Sequence, residues 1–204
     1  LANLLYLPED YDEAQTYPLV VFFHGSGEGG PRLDFLKAQV MPRLIEEGED
    51  FPFILASPQL QYGEEWAAKG AVLAAFIEQL ESEFPIDPDR VYVMGLSLGG
   101  AGVWSFALAY PDIPAAIVSA AGFYYGNALV PDNICSIADI PMWVVHSRAD
   151  EVVGFEYEEA IVNAVEECGG DVQFIVYDDA NHSETFEPAF TDPALYEWLL
   201  EQHR

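Results

Sequence analysis

The feature that most narrows what this chain can fold into is an alternation running from end to end: short apolar runs separated by stretches with helical spacing. Leu19 to His24 (LVVFFH) follows Pro18 and stops at a glycine cluster, the pattern of a central strand buried on both faces. Phe53–Ala56, Val91–Gly95, Ala115–Ser119, Met142–His146 and Val172–Tyr177 read as further short strands. Between them, Gly70 to Phe84 carries Val72, Ala75, Phe76 and Leu80 at helical spacing, with Glu78, Glu81 and Glu83 outside, and Pro85 ends it. Gly99 to Tyr110 reads as a helix ending before Pro111, Phe155 to Glu167 as an acidic amphipathic helix stopped by Gly169 and Gly170, and Pro193 to Gln202 as a closing helix. Such a succession of βα units implies a mainly parallel sheet flanked by helices, one α/β domain over residues 1–204. The opening Leu1-Ala-Asn-Leu-Leu-Tyr-Leu-Pro8 reads as a strand entering a turn and lacks an initiating Met, which suggests a domain cut from a longer chain with an additional N-terminal domain.

Composition removes several classes of function. The 204 residues carry 35 Asp and Glu against 7 Lys and Arg, a formal net charge of −28. With 51% hydrophobic residues the charge does not signal disorder, which requires low hydrophobicity as well. Nucleic acid is excluded as a partner, because phosphate binding depends on clustered cations; an anionic membrane surface is disfavoured on the same grounds. No apolar run reaches the length of a membrane span. The acidic run Glu9-Asp-Tyr-Asp-Glu13 fits a solvated turn better than a calcium loop, so neither metal nor cofactor is expected. The two cysteines, Cys135 and Cys168, are too few for a metal cluster and stand either as one disulfide or as two buried thiols. We expect the disulfide, at the end of the sheet away from the chemistry.

The most specific signal is Gly95-Leu-Ser-Leu-Gly99, a G-x-S-x-G pattern set between an expected strand and an expected helix. That context is the one in which a serine is presented on a sharp strand-to-helix turn as a nucleophile. Serine needs a general base, and only four histidines are available. His203 is terminal, His24 precedes the nucleophile at an early strand end, and His146 ends a strand just before a candidate acid. His182 lies in a late loop, after the strand Val172–Tyr177, where the chain order Ser, acid, His places the base. The acid is expected in the loop after strand Met142–His146: Asp150 is our assignment, Glu151 its neighbouring competitor, and Asp139 lies at the wrong end of that strand. An oxyanion hole requires backbone N–H donors. One is expected from Leu98, directly after the nucleophile, and one from Ser26, or else Gly27, in the glycine-rich loop His24-Gly-Ser-Gly-Glu-Gly-Gly30. That loop lacks the Lys-Ser/Thr ending of a nucleotide-binding loop.

Taken together, Pro18-Leu-Val-Val-Phe-Phe-His-Gly25, Gly95-Leu-Ser-Leu-Gly-Gly-Ala-Gly-Val-Trp104, His146…Asp150…Val153 and Asn181-His182 resemble the α/β-hydrolase superfamily. Within it, the chain is similar to the compact secreted esterases related to polyhydroxybutyrate depolymerases and feruloyl esterases, including proteins labelled predicted peptidases. The resemblance covers nearly the whole chain, with Leu195-Tyr-Glu-Trp-Leu-Leu200 as a further narrow match. It departs at His146-Ser147, where many relatives have His-Gly, and in lacking a leading strand. The resemblance implies an extracellular serine carboxylesterase that needs no cofactor.

The interval between the strands holding Ile117 and Val144 is about two dozen residues, too short for a cap domain. An open site is therefore expected, taking small-molecule or polymeric esters with short acyl groups in a monomeric enzyme. Trp66, Tyr124 and Phe186 are the expected substrate-lining residues, with Tyr62, Phe123 and Tyr125 near them. Aromatics of this kind serve equally well as packing. The rival readings are a serine peptidase on the same scaffold and a non-catalytic binding module that retains the fold.

Overall fold

The computed structural model describes residues 1–204. Seven strands form one sheet in the order β1-β3-β2-β4-β5-β6-β7. They are β1 (Asn3–Tyr6), β2 (Tyr17–Phe23), β3 (Ile54–Pro58), β4 (Ile86–Leu96), β5 (Ala116–Ala120), β6 (Met142–Ser147) and β7 (Val172–Tyr177). β1 runs antiparallel to β3 and every other pairing is parallel. All seven residues of β2 are buried, as the unbroken apolar run requires of a strand covered on both faces.

The pleat of β2 divides the core. Leu19, Val21 and Phe23 point into one cluster, completed by α2 (Gly70–Glu83), α3 (Leu98–Ala109) and α4 (Phe155–Glu167). Val20 and Phe22 point into the other, completed by α1 (Val40–Glu46), α5 (Phe186–Thr191) and α6 (Pro193–Leu200). No helix is long and apolar enough to cross a membrane.

Most elements lie within two residues of their sequence expectation, and the differences have local causes. β4 begins at Ile86 rather than Val91, because Ile86 pairs with Tyr17 across an irregularity in register. Asp87 to Arg90 is too polar, and Pro88 too poor a strand former, to show this from sequence. α1 has no counterpart among the expected helices, since seven residues with Pro42 inside give no periodic signal. α6 starts where Asp192 accepts a hydrogen bond from the Ala194 amide at 2.9 Å, with Pro193 at the first helical position.

The order of the strands fixes where a ligand can bind. From β2 the chain passes through α1 to β3 on one side, and after α2 it returns to β4 on the other. The crevice at the carboxyl ends of β2 and β4 is therefore the point where the winding reverses, where open α/β sheets bind ligands.

At the opposite end, Cys135 in the 3-10 turn Ile134–Ile137 is bonded to Cys168 at the end of α4, with Cα atoms 5.3 Å apart. The bond ties the segment entering β6 to the segment entering β7. It closes a loop of 33 residues, worth about 3–4 kcal/mol in the chain-entropy model. A Cys135→Ser/Cys168→Ser double variant should melt on the order of 10 °C lower than the wild type. Calorimetry of the two proteins side by side checks the shift.

Candidate active site

Ser97 joins β4 to α3 with φ 53° and ψ −118°, a conformation that residues with side chains rarely adopt. Three glycines make this turn possible. A Cβ on Gly95 would sit 2.5 Å from the carbonyl oxygen of Gly99, and one on Gly99 would collide with the backbone of Phe23. One on Gly100 would lie 2.9 Å from the Cα of Gly122. The start of α3 thus presses on the ends of β2 and β5, leaving Ser97 half-buried at the crevice.

The residues assigned from sequence as nucleophile, base and acid are brought together. His182 Nδ1 lies 2.6 Å from Asp150 Oδ2. A carboxylate there can only accept, so Nδ1 carries the proton, and Nε2 is left to accept from the Ser97 hydroxyl at 2.9 Å. The other oxygen of Asp150 accepts from the amides of Val152 at 2.9 Å and Val153 at 2.8 Å. The Asp150 side chain is wholly buried. Glu151, its competitor in the sequence, reaches only the backbone amide of His182, at 3.3 Å. Phe186 packs its ring edge-on to His182 at 4.9 Å.

His24 has a different task. Its Nδ1 donates to Gly25 O at 2.6 Å and its Nε2 accepts from the Leu60 amide at 3.0 Å, so the ring is neutral. Burial lowers its pKa, in keeping with that state. The ring anchors the loop after β2, whose Gly25 lies against Leu96. Ser26 is exposed on that loop, and Leu98 is the first residue of α3.

The lining residues divide. Trp66 is not on the cleft wall: it is 1% exposed, stacks on Phe23 at 4.6 Å, and donates to His24 O at 3.0 Å. Its size and apolarity suit the core better than the cleft. Tyr124 is half-buried, packed against the core on the α3 side. Beside it, Phe123 and Tyr125 pair at 5.0 Å, and burial with the nearby Glu65 pushes the Tyr125 phenol up to about 12. Only a 3-10 turn interrupts the connection from β5 to β6, so no cap covers Ser97. The larger surface hollows, such as that lined by Asp89, Asp112, Asp139 and His203, lie elsewhere.

Sequence reasoning missed Glu158. It sits in an acidic helix and reads as solvent-facing, yet it is fully buried. Its Oε1 accepts from Trp104 Nε1 at 3.0 Å and from the Ser119 hydroxyl, and its Oε2 from the Gly122 amide at 2.8 Å and His146 Nδ1 at 2.7 Å. A signal was present: Glu158, Ile161, Val162 and Val165 form the buried stripe of α4 at positions i, i+3, i+4 and i+7.

A family model described as phospholipase/carboxylesterase matches residues 61–188, more than half of the chain and a span containing Ser97, Asp150 and His182. A thermostable esterase is 27% identical and superposes with a TM-score of 0.84 over 99% of this chain; the chain spans 59% of that protein's length. The feruloyl esterase module from Clostridium thermocellum, complexed with sinapinate, is 19% identical with a TM-score of 0.69, over 97% of this chain and 81% of its own. A putative dipeptidyl aminopeptidase IV from Bacteroides ovatus is 16% identical with a TM-score of 0.69, over 98% of this chain and 33% of its own. No curated protein matches by sequence. The fold is the α/β-hydrolase fold.

Gly99→Ala should cost about 3 kcal/mol or more, because the obstacle is backbone rather than a movable side chain. Chemical denaturation of that variant, compared with an exposed control such as Gly27→Ala, tests the close approach. A second expectation concerns pH. Burial lowers the pKa of His146, but the hydrogen bond and charge of Glu158, with Val153 O and Asp150, outweigh it and raise the value above 6.5. A raised histidine contributes stability that is complete below its unfolded value and lost as pH climbs through the folded one. The melting temperature should therefore decline on the alkaline side of 6.5, and a His146→Asn variant should lack that part of the decline.

Proposed function

The chain belongs to the phospholipase/carboxylesterase family, and on that premise we propose that it is a serine carboxylesterase working through Ser97, His182 and Asp150. The observation that carries this reading is the unbroken hydrogen-bonded chain from Ser97 Oγ through His182 to Asp150, with links of 2.9 Å and 2.6 Å, mounted on a strained turn at the sheet's switch point.

In the proposed reaction, Ser97 Oγ attacks the acyl carbon of the ester while its proton passes to His182 Nε2. Asp150 keeps His182 in the tautomer that can accept and stabilises the imidazolium that forms. The negative charge gathering on the carbonyl oxygen is met by the amides of Leu98 and Ser26, and the positive end of the α3 dipole adds to them. The tetrahedral adduct then expels the alcohol, which takes the proton from His182. Water, deprotonated by the same nitrogen, attacks the acyl-enzyme and releases the acid and Ser97. Every step uses groups of the chain itself and water.

Short acyl esters are the proposed substrates, with aryl or polymeric esters also fitting a site that no cap encloses. Tyr124 is the expected lining residue left to contact them, since Phe186 is buried in the core against His182, and the likeness to a feruloyl esterase module bound to sinapinate supports an aryl acid. The Cys135–Cys168 bond supports action in an oxidising compartment, outside the cytosol. The likeness to a putative dipeptidyl aminopeptidase IV keeps a peptidase reading alive on the same triad.

Hydrolysis of p-nitrophenyl esters from acetate to palmitate should peak among the short chains and exceed hydrolysis of peptide p-nitroanilides. Ser97→Ala should lower kcat by on the order of a million-fold and Asp150→Asn by on the order of ten-thousand-fold, with KM little changed. Full activity in Ser97→Ala would remove the serine mechanism altogether. Faster cleavage of anilides than of esters would move the peptidase reading to the front.

A further inference from the structure

Behind Asp150 lies a second buried charge pair with no part in the proposed reaction. His146, the penultimate residue of β6, is fully buried. Its Nδ1 faces Glu158 Oε2 at 2.7 Å, and its Nε2 faces Val153 O at 3.0 Å and Asp150 Oδ2 at 3.4 Å. With Glu158 and Asp150 ionised, all three partners are acceptors, so both ring nitrogens carry protons and the ring is an imidazolium held between two carboxylates. Trp104, Ser119 and the Gly122 amide also converge on Glu158, so no neutral side chain replaces it without leaving a donor unpaired.

The surroundings contain few other charges. From its own loop His146 meets Asp150, and from α4 Glu158; β5 and α3 contribute only the Ser119 hydroxyl and the Trp104 indole, both through Glu158. Phe155 covers the ring edge-on at 5.7 Å, and the Arg148 guanidinium lies beyond it, 4.5 Å from the Phe155 centroid. His182 reaches the same Oδ2 of Asp150, with the Glu151 carboxylate on its backbone. The segment from Asp150 to Val153 is held from both directions. The amide of Val153 donates to Asp150, and its carbonyl accepts from His146.

We propose that the Glu158–His146 pair is a positioning element for the proposed triad: Glu158 holds a buried imidazolium against Asp150, and that cation fixes the carboxylate's aim at His182 and offsets part of its charge. This inference rests on the Ser97–His182–Asp150 reading. The cation opposes part of the field that the Asp150 carboxylate places on the His182 ring, so its removal changes the pH range over which the pair works.

The test is His146→Asn, whose amide nitrogen can still donate to Glu158 while the charge and the reach to Val153 and Asp150 are lost. With p-nitrophenyl acetate, and rates normalised per active site by the acyl-enzyme burst, kcat should fall by about 10–100-fold at unchanged KM. The acid limb of kcat/KM should move up by about half a pH unit or more. A purely structural role predicts a lower melting temperature and fewer active sites, with wild-type kcat and an unmoved acid limb; that result overturns the proposal. If the variant does not fold, nitrogen-15 NMR of the wild-type histidines decides. Two protonated nitrogens on His146 at neutral pH are expected, and a neutral tautomer there overturns it. Ser97→Ala measured in parallel separates the two failures: if it stays active, the triad reading falls, whatever His146 does.

Discussion

The close approach of three backbone segments at the carboxyl ends of β2, β4 and β5 is the contact on which the rest of the site depends. The Gly99 backbone packs on that of Phe23, Gly95 on Gly99, and Gly100 on Gly122, with no room for a Cβ at any of these places. That packing holds Ser97 at positive φ and seats the start of α3 over the sheet. Strain of this kind persists only where surrounding structure over-determines it. Here the determinants are a fully buried β2 and the two clusters that cover its faces.

Around this turn the protein buries three histidines and gives each a different state through its partners alone. His24 meets one acceptor and one donor and is neutral, a clamp for the loop after β2. His146 meets only acceptors, an arrangement that favours its charged form. His182 meets a carboxylate on one side and a hydroxyl on the other, the arrangement that leaves one nitrogen free to accept a proton. Three identical side chains at strand ends and in a loop are thus separated by what their neighbours can donate or accept, not by burial, which all three share.

The two ends of the sheet divide the work. The carboxyl end carries Ser97, Asp150 and His182 on a turn and two loops, each anchored by backbone hydrogen bonds or buried polar groups. The opposite end carries the disulfide, which restrains the unfolded chain without touching the crevice. Surface acidity adds little local structure: most ion pairs, such as Arg32–Asp34 and Lys37–Glu46, involve exposed groups and contribute little to stability.

Much of this was legible in the order of residues. Apolar runs and helical stripes have periods set by backbone geometry, so strands, helices and a mainly parallel sheet could be read from them. The glycines around Ser97 marked a strained turn, the rule that sites gather at strand carboxyl ends selected Asp150 over Asp139, and the chain order Ser, acid, His selected His182 over the other histidines. What the sequence could not decide was partnership at a distance. Trp66 reads the same whether it lines a cleft or fills a core; it became core because the Phe23 ring and the His24 carbonyl were there to receive it. Glu158 reads as one more acid on an acidic helix, and only the tertiary structure brings four donors, from α3, β5, the segment after β5 and the end of β6, to its two oxygens. Periodicity is a property of the chain, whereas the satisfaction of a buried polar group belongs to the elements that surround it.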